Sequence, residues 1–166
     1  MSQAFVKEPN GDAVADDQPE LPISRHANYV TAAGLAQLKA SLAELLERRR
    51  DRDADDLLNK LPLSQIDREI RYYEARIKQA ILVEPARQPV GEVAFGARVT
   101  VEDEDGAPLT YRIVGEDEAD PDAGKVSWVS PLAAALLDAR VGDLVLWERP
   151  TGEVELEITA ISYPAT

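Results

Sequence analysis

The chain has 166 residues and a formal net charge of −13, with 45% hydrophobic and 30% charged residues. The hydrophobic share supports a core for one ordinary domain or two small ones, while the charge disfavours general binding to nucleic acid or an anionic membrane and suits docking on a basic patch of a partner protein. The lack of cysteine excludes disulfides and thiol chemistry, the single His26 cannot build a histidine-rich metal site, and no apolar run approaches the roughly 18–20 residues that span a bilayer.

Residues 1–26 mix Pro9, Pro19 and Pro22 with Gly11, Asp12, Asp16, Asp17 and Glu20 and show no sustained periodicity, which predicts a flexible acidic tail. The first residues lack the basic and apolar regions of a secretory signal, so the cytoplasm is the expected compartment. Thr31 is placed to cap a helix whose apolar seam is Leu35, Leu38, Leu42 and Leu45. Leu63, Ile66, Ile70, Tyr73 and Ile77 form a matching seam on a second helix reaching about Ala80, with Ser64 and Asp67 resembling a capping box at its start. Two such helices with a short charged connection predict an antiparallel helical hairpin over 27–84. Its tip carries Asp51, Asp53, Asp55 and Asp56 among Arg48, Arg49, Arg50 and Arg52. Within a continuing helix, Arg49–Asp53 and Arg52–Asp56 are favourable spacings, and Leu57 and Leu58 can close over Leu61 and Leu63 as an apolar plug.

Pro85, Pro89 and Gly91 mark a linker, 85–91, after which the period becomes alternating. Val99 and Val101, the turn Asp105-Gly106, and Leu109, Tyr111 and Ile113 read as a β-hairpin. Val126 and Trp128 suggest another strand, and Ser130-Pro131 caps and opens a short helix, Leu132–Leu137. Turns at Gly142-Asp143 and Thr151-Gly152 separate the strand Leu144–Glu148 from a closing strand with Val154, Leu156 and Ile158. Residues 92–166 thus read as a small antiparallel β domain folded around one helix, and the whole chain as α+β.

The second half carries an ordered series of landmarks: Phe95-Gly96-Ala97 leading into Val99-Thr100-Val101, Tyr111-Arg112-Ile113-Val114-Gly115, Ser130-Pro131 followed by Ala134-Ala135-Leu136-Leu137, Val141-Gly142-Asp143, Pro150-Thr151-Gly152-Glu153 and Ile161-Ser162-Tyr163. With Ile66-Asp67-Arg68 and Arg71-Tyr72 in the second arm, residues 29–163 resemble the GreA/GreB family of bacterial transcription elongation factors. The resemblance implies a coiled-coil hairpin joined to an FKBP-like domain. It also implies that the second domain docks on RNA polymerase at the rim of the secondary channel while the hairpin enters the channel. There the tip carboxylates would help hold a Mg²⁺ that belongs to the polymerase active site and activates water to cut backtracked RNA, a role that suits oxygen ligands around a hard cation. On this resemblance the chain is an accessory factor, not itself an enzyme, with no intrinsic metal or cofactor. It acts as a monomer that touches the nascent RNA only indirectly. The candidate tip carboxylates are Asp51, Asp53, Asp55 and Asp56, and the candidate docking residues are Val129, Ser130 and Pro131.

Two departures set the expectation for activity. Nothing reproduces the family's acidic tip motif, and Arg52 falls where an acidic residue is expected. The span from Gly34 to Ile66 is also shorter than in Gre factors by about two helical turns per arm, which withdraws the tip by roughly 12 Å. The reading is therefore a Gre-related elongation regulator with little or no stimulation of RNA cleavage, like the short-coil Rnk-type relatives; the alternative is a true transcript cleavage factor. A prolyl isomerase is a third class, which needs an aromatic-lined pocket that only Phe95, Tyr111, Trp128, Trp147 and Tyr163 could supply.

Overall fold

The computed structural model describes residues 18–54 and 63–165. A short strand β1 (Asn28–Val30) runs straight into helix α1 (Ala32–Ala54), and helix α2 (Leu63–Gln79) runs straight into strand β2 (Ala80–Leu82). Thr31 caps α1 as its sequence position predicts: its hydroxyl oxygen accepts from the Gly34 amide at 3.0 Å. Leu38 and Tyr73 share one cleft at the base, while Arg49 meets Asp67 farther along, so the two helices are antiparallel. Leu45, Ile66 and Ile70 are buried between them, with Leu42 and Tyr73 packed alongside. Each such full burial is worth about 1.5–3 kcal/mol. The seam thins away from the base, where Leu46 and Leu63 are exposed.

The second helix departs from expectation at its start. Leu63 is already helical, so Ser64 lies inside the first turn instead of capping it, and Asp67 accepts from Arg49 of α1. Cross-hairpin ion pairing takes the carboxylate that a capping box would have used locally. Leu57, Leu58 and Leu61 of the expected plug lie outside the described residues.

Neither three-residue strand is announced by periodicity. They pair in parallel, Asn28 with Ala80 and Val30 with Leu82, and the Val83 amide extends the ladder to the Val30 carbonyl. Both ends of the hairpin are thereby tied together where it meets the second domain. The buried Asn28 amide donates to the Arg76 carbonyl at 2.7 Å, satisfying a carbonyl in the last turn of α2.

The second domain is a five-stranded sheet in the order β5-β4-β3-β7-β6, built from β3 (Arg98–Glu102), β4 (Pro108–Val114), β5 (Lys125–Ser127), β6 (Leu144–Arg149) and β7 (Gly152–Ser162). The predicted hairpin at Asp105-Gly106 forms, with Val99 opposite Tyr111 and Val101 opposite Leu109. A bulge in β7 beside Thr100 and Val101 leaves Thr159 to donate its hydroxyl to the Thr100 carbonyl. Strand β5 is parallel to β4, and helix α3 (Pro131–Leu136) follows it. Leu132, Ala133 and Leu136 of α3 join Val93, Phe95, Val99, Val101, Ile113, Leu156 and Ile158 in one core. At the end of the chain the Tyr163 hydroxyl accepts from the Ala94 amide and donates to the Glu92 carbonyl.

The hairpin and the sheet meet closely. Residues 85–91 form a short 3-10 turn, Pro85–Arg87, and Gln88 donates to the Phe95 carbonyl at 2.7 Å. Described from Gln18 onward, the predicted tail is bonded to the body: Gln18 accepts from Arg68, Glu20 pairs with Arg71, and Ser24 donates to Glu116. The tightest approach is at Gly115, where a Cβ would stand 2.4 Å from the Tyr29 carbonyl oxygen. A Gly115→Ala substitution therefore forces β1 away from the second domain, with an expected loss of about 1–3 kcal/mol in denaturant unfolding. Unchanged stability would show that this contact yields freely.

Candidate functional site

Three places bear on function: the hairpin tip, the segment before α3, and the junction between hairpin and sheet. At the tip, Arg48 pairs with Glu44 at 2.6 Å one turn back on α1, and Arg49 reaches across to Asp67 at 2.6 Å. Asp51 is exposed on α1. Asp53 belongs to the helical backbone of α1, while Asp55 and Asp56 lie outside the described residues. The described end of the hairpin is thus a helix carrying arginines with carboxylate partners. Among the described residues no group of three metal-ligating side chains comes together.

At the predicted docking segment, the Ser130 hydroxyl accepts from the Ala133 amide and Pro131 occupies the first turn, so both residues shape the start of α3. Val129 and Ser130 are half-buried and Pro131 is exposed, which leaves one proline ring on the surface beside a fixed backbone. Trp128 stands behind them, edge-on to Tyr29 with ring centroids 5.1 Å apart and to His26 at 5.8 Å. Phe95 is also tied to Tyr29, at 5.8 Å. Two of the aromatics that an isomerase pocket would need are therefore spent on packing hairpin base against sheet.

The junction was not singled out by sequence reasoning. A 3-10 turn at Glu116–Glu118 directs three consecutive carboxylates at the base of the hairpin. Arg76 of α2, 1% exposed, donates through Nε to Asp117 at 2.7 Å and lies 3.6 Å from Glu116. The Tyr72 hydroxyl donates to the other oxygen of Asp117. Thr31, while capping α1, also donates to the buried Glu118. One turn thus receives side chains from the tail, from the start of α1 and from the end of α2. The only signal in the sequence was three acids after Ile113-Val114-Gly115, which gives no hint of a partner some 40 residues earlier.

With the geometry in place, the known proteins are informative. The family model described as "Transcription elongation factor, GreA/GreB, C-term" matches residues 88–163, which include the sheet, α3 and the predicted docking segment. Transcription elongation factor GreB of Neisseria meningitidis serogroup B is 38% identical over 153 residues, taking in 82% of this chain and 94% of that protein. The chain belongs to the GreA/GreB family of transcription elongation factors. Transcription elongation factor GreA of Ralstonia nicotianae is 33% identical over 165 residues, covering 98% of this chain and 99% of its own. Among solved structures, GreA factor homolog 1 of Thermus thermophilus is 26% identical, covers 82% of this chain and 99% of its own, and superposes with a TM-score of 0.40. As a Gre-family member the chain is a regulator of transcription elongation, and family members act on RNA polymerase. No described helix is long and apolar enough to cross a membrane.

Two outcomes test the junction. Replacing Arg76 by Ala leaves Asp117 and Glu116 without their cation in a largely buried setting, and denaturant unfolding should show a loss of about 3–5 kcal/mol. Burial, reinforced by the Asp117 carboxylate, raises the Tyr72 pKa from 10.0 to about 12. The folded protein holds that proton more tightly than the unfolded chain. The contribution of Tyr72 to stability is therefore complete below pH 10 and is lost as pH rises from 10 to about 12. Ultraviolet titration should show Tyr72 ionising late, with Tyr163 also raised by burial, and an Asp117→Asn variant should bring the Tyr72 step part of the way back while the effect of burial remains.

Proposed function

We propose that this Gre-family chain docks on RNA polymerase at the entrance of the secondary channel, through Val129, Ser130 and Pro131, and regulates elongation with little or no stimulation of RNA cleavage. It acts as an accessory factor, a monomer without an intrinsic metal or cofactor, and meets the nascent RNA only indirectly. The observation that carries this reading is the hairpin itself. Helix α1 has 23 residues and α2 has 17, so at ~1.5 Å per residue the longer arm reaches about 35 Å. Sharing a Mg²⁺ requires carboxylate oxygens within a few tenths of an ångström of their ideal places, which a short arm cannot provide from the same docking position. The arginines at the tip further reduce the field that its aspartates present to a cation.

The true cleavage factor is the alternative, and its assignment would fall to Asp51, Asp53, Asp55 and Asp56. Incubation with a backtracked elongation complex of the organism's own polymerase separates the two. The expected result is no shortening of the RNA, together with inhibition of a cleavage-active Gre factor added to the same complex. Rapid shortening that disappears in an Asp53→Asn, Asp55→Asn double variant would instead make the chain a cleavage factor.

A further inference from the structure

The register of the sheet brings three cations into one rung. Arg98 of β3 stands opposite Arg112 of β4, Arg112 stands opposite Lys125 of β5, and the rung continues to Ser162 of β7. Directly paired residues point to the same face of a sheet, and neighbouring strands are only about 4.8 Å apart. Like charges placed opposite one another in this way are destabilising. The chain has 31 acidic residues against 18 lysines and arginines, so partners for these three are not scarce. Six other cations, Arg48, Arg49, Arg71, Arg76, Arg87 and Arg140, each lie within 4.0 Å of a carboxylate. Among the described residues, Arg98, Arg112 and Lys125 have none at that distance.

The same three side chains, with Thr110 and Gly124, line a solvent-open cavity of about 160 Å³. The Arg112 Nε is buried without a hydrogen-bond partner among the described residues. Glu118 is held by Thr31, and Asp120 meets Lys125 through backbone hydrogen bonds. Burial is the main cause that lowers the Arg112 pKa, with Glu118 raising it and Arg98 adding a smaller lowering. An anion in the cavity would offset the repulsion among the cations paired across the rung.

We propose that Arg98, Arg112 and Lys125 form a binding site for the phosphate group of a small phosphorylated molecule. A small ligand is favoured over a polynucleotide by the charge of the whole chain. A net −13 repels an extended polyanion beyond the rung, whereas a compact anion sees mainly the three cations within a Debye length of about 8–10 Å.

The test is calorimetric titration of the full-length protein with inorganic pyrophosphate, with ADP and with a short single-stranded RNA, beside thermal unfolding with each. Pyrophosphate, ADP or both should bind and raise the melting temperature, with affinity falling as salt is added. Tighter binding of ADP would make the source a nucleotide, and equal or tighter binding of pyrophosphate would make it free polyphosphate. Arg112→Gln and Arg98→Gln should each weaken binding about tenfold or more, the loss expected for one charge-assisted contact. Without ligand, both variants should melt no lower than the parent, because each removes a like-charge contact. Arg87→Gln, at an exposed cation paired with Glu84, serves as the control and should leave binding unchanged. Absence of binding by both small probes would overturn the proposal. So would equal binding by parent and Arg112→Gln, or tighter binding of the RNA than of either small probe.

Discussion

Arg76 is the residue on which the arrangement of this molecule depends. Its guanidinium is withdrawn from water almost completely, and its backbone carbonyl is held by a buried asparagine at the same time. Removing a charge from solvent is unfavourable by several kcal/mol unless close hydrogen-bonded partners replace the water. Here the hydrogen-bonded partner comes from the second domain, as Asp117, with the Glu116 carboxylate adding a second negative charge 3.6 Å away. The arginine therefore stabilises the protein only while the hairpin sits on the sheet at one angle. A lysine would not substitute easily, because the planar fork of donors is what addresses two carboxylates at once.

Around this contact the other junction features fall into place. Thr31 serves two masters, capping α1 and donating to Glu118, so the first turn of the lever is anchored to the same 3-10 turn as its last. Gly115 lets that turn approach β1 within a distance no side chain would allow. Tyr29 and Trp128 then pack the outside of the joint. A chain with so large an excess of acid has placed three of its carboxylates where arginine, tyrosine and threonine donors receive them. The proposed docking segment, Val129-Ser130-Pro131, begins immediately after Trp128. The position of the hairpin relative to any surface that this segment meets is therefore fixed through a few contacts at the base of the lever.

What could be read from the sequence divides along the range of the interaction. Thr31 and Ser130 were legible as caps because a hydroxyl bonding an amide three residues on is local chemistry. The Asp105-Gly106 hairpin and the alternation of Val99 and Val101 were legible for the same reason. The strands β1 and β2 were not, because three residues carry no period and their partners lie about 50 positions apart. Ser64 and Asp67 misled for a related reason: the local pattern was correct, but Arg49 on the other arm competed for the aspartate. Arg76 looked like one more polar residue on an amphipathic helix, and the rung of Arg98, Arg112 and Lys125 exists only once the register of three strands is known. The docking segment and the shortened arm rest on the family resemblance alone, as proposals that no periodicity argument could have reached.

The central claim, that a buried Arg76 contact fixes the hairpin on the second domain, can be measured directly because the chain has no cysteine of its own. Spin labels would be attached at Asp51→Cys on the exposed surface of α1 and at Glu153→Cys on the exposed surface of β7, and their separation read by double electron–electron resonance. The account predicts one narrow distance distribution in the parent, broadening when Arg76→Met is added while the far-ultraviolet spectrum stays the same. A distribution already broad in the parent, or one left narrow and unmoved by Arg76→Met, would contradict it.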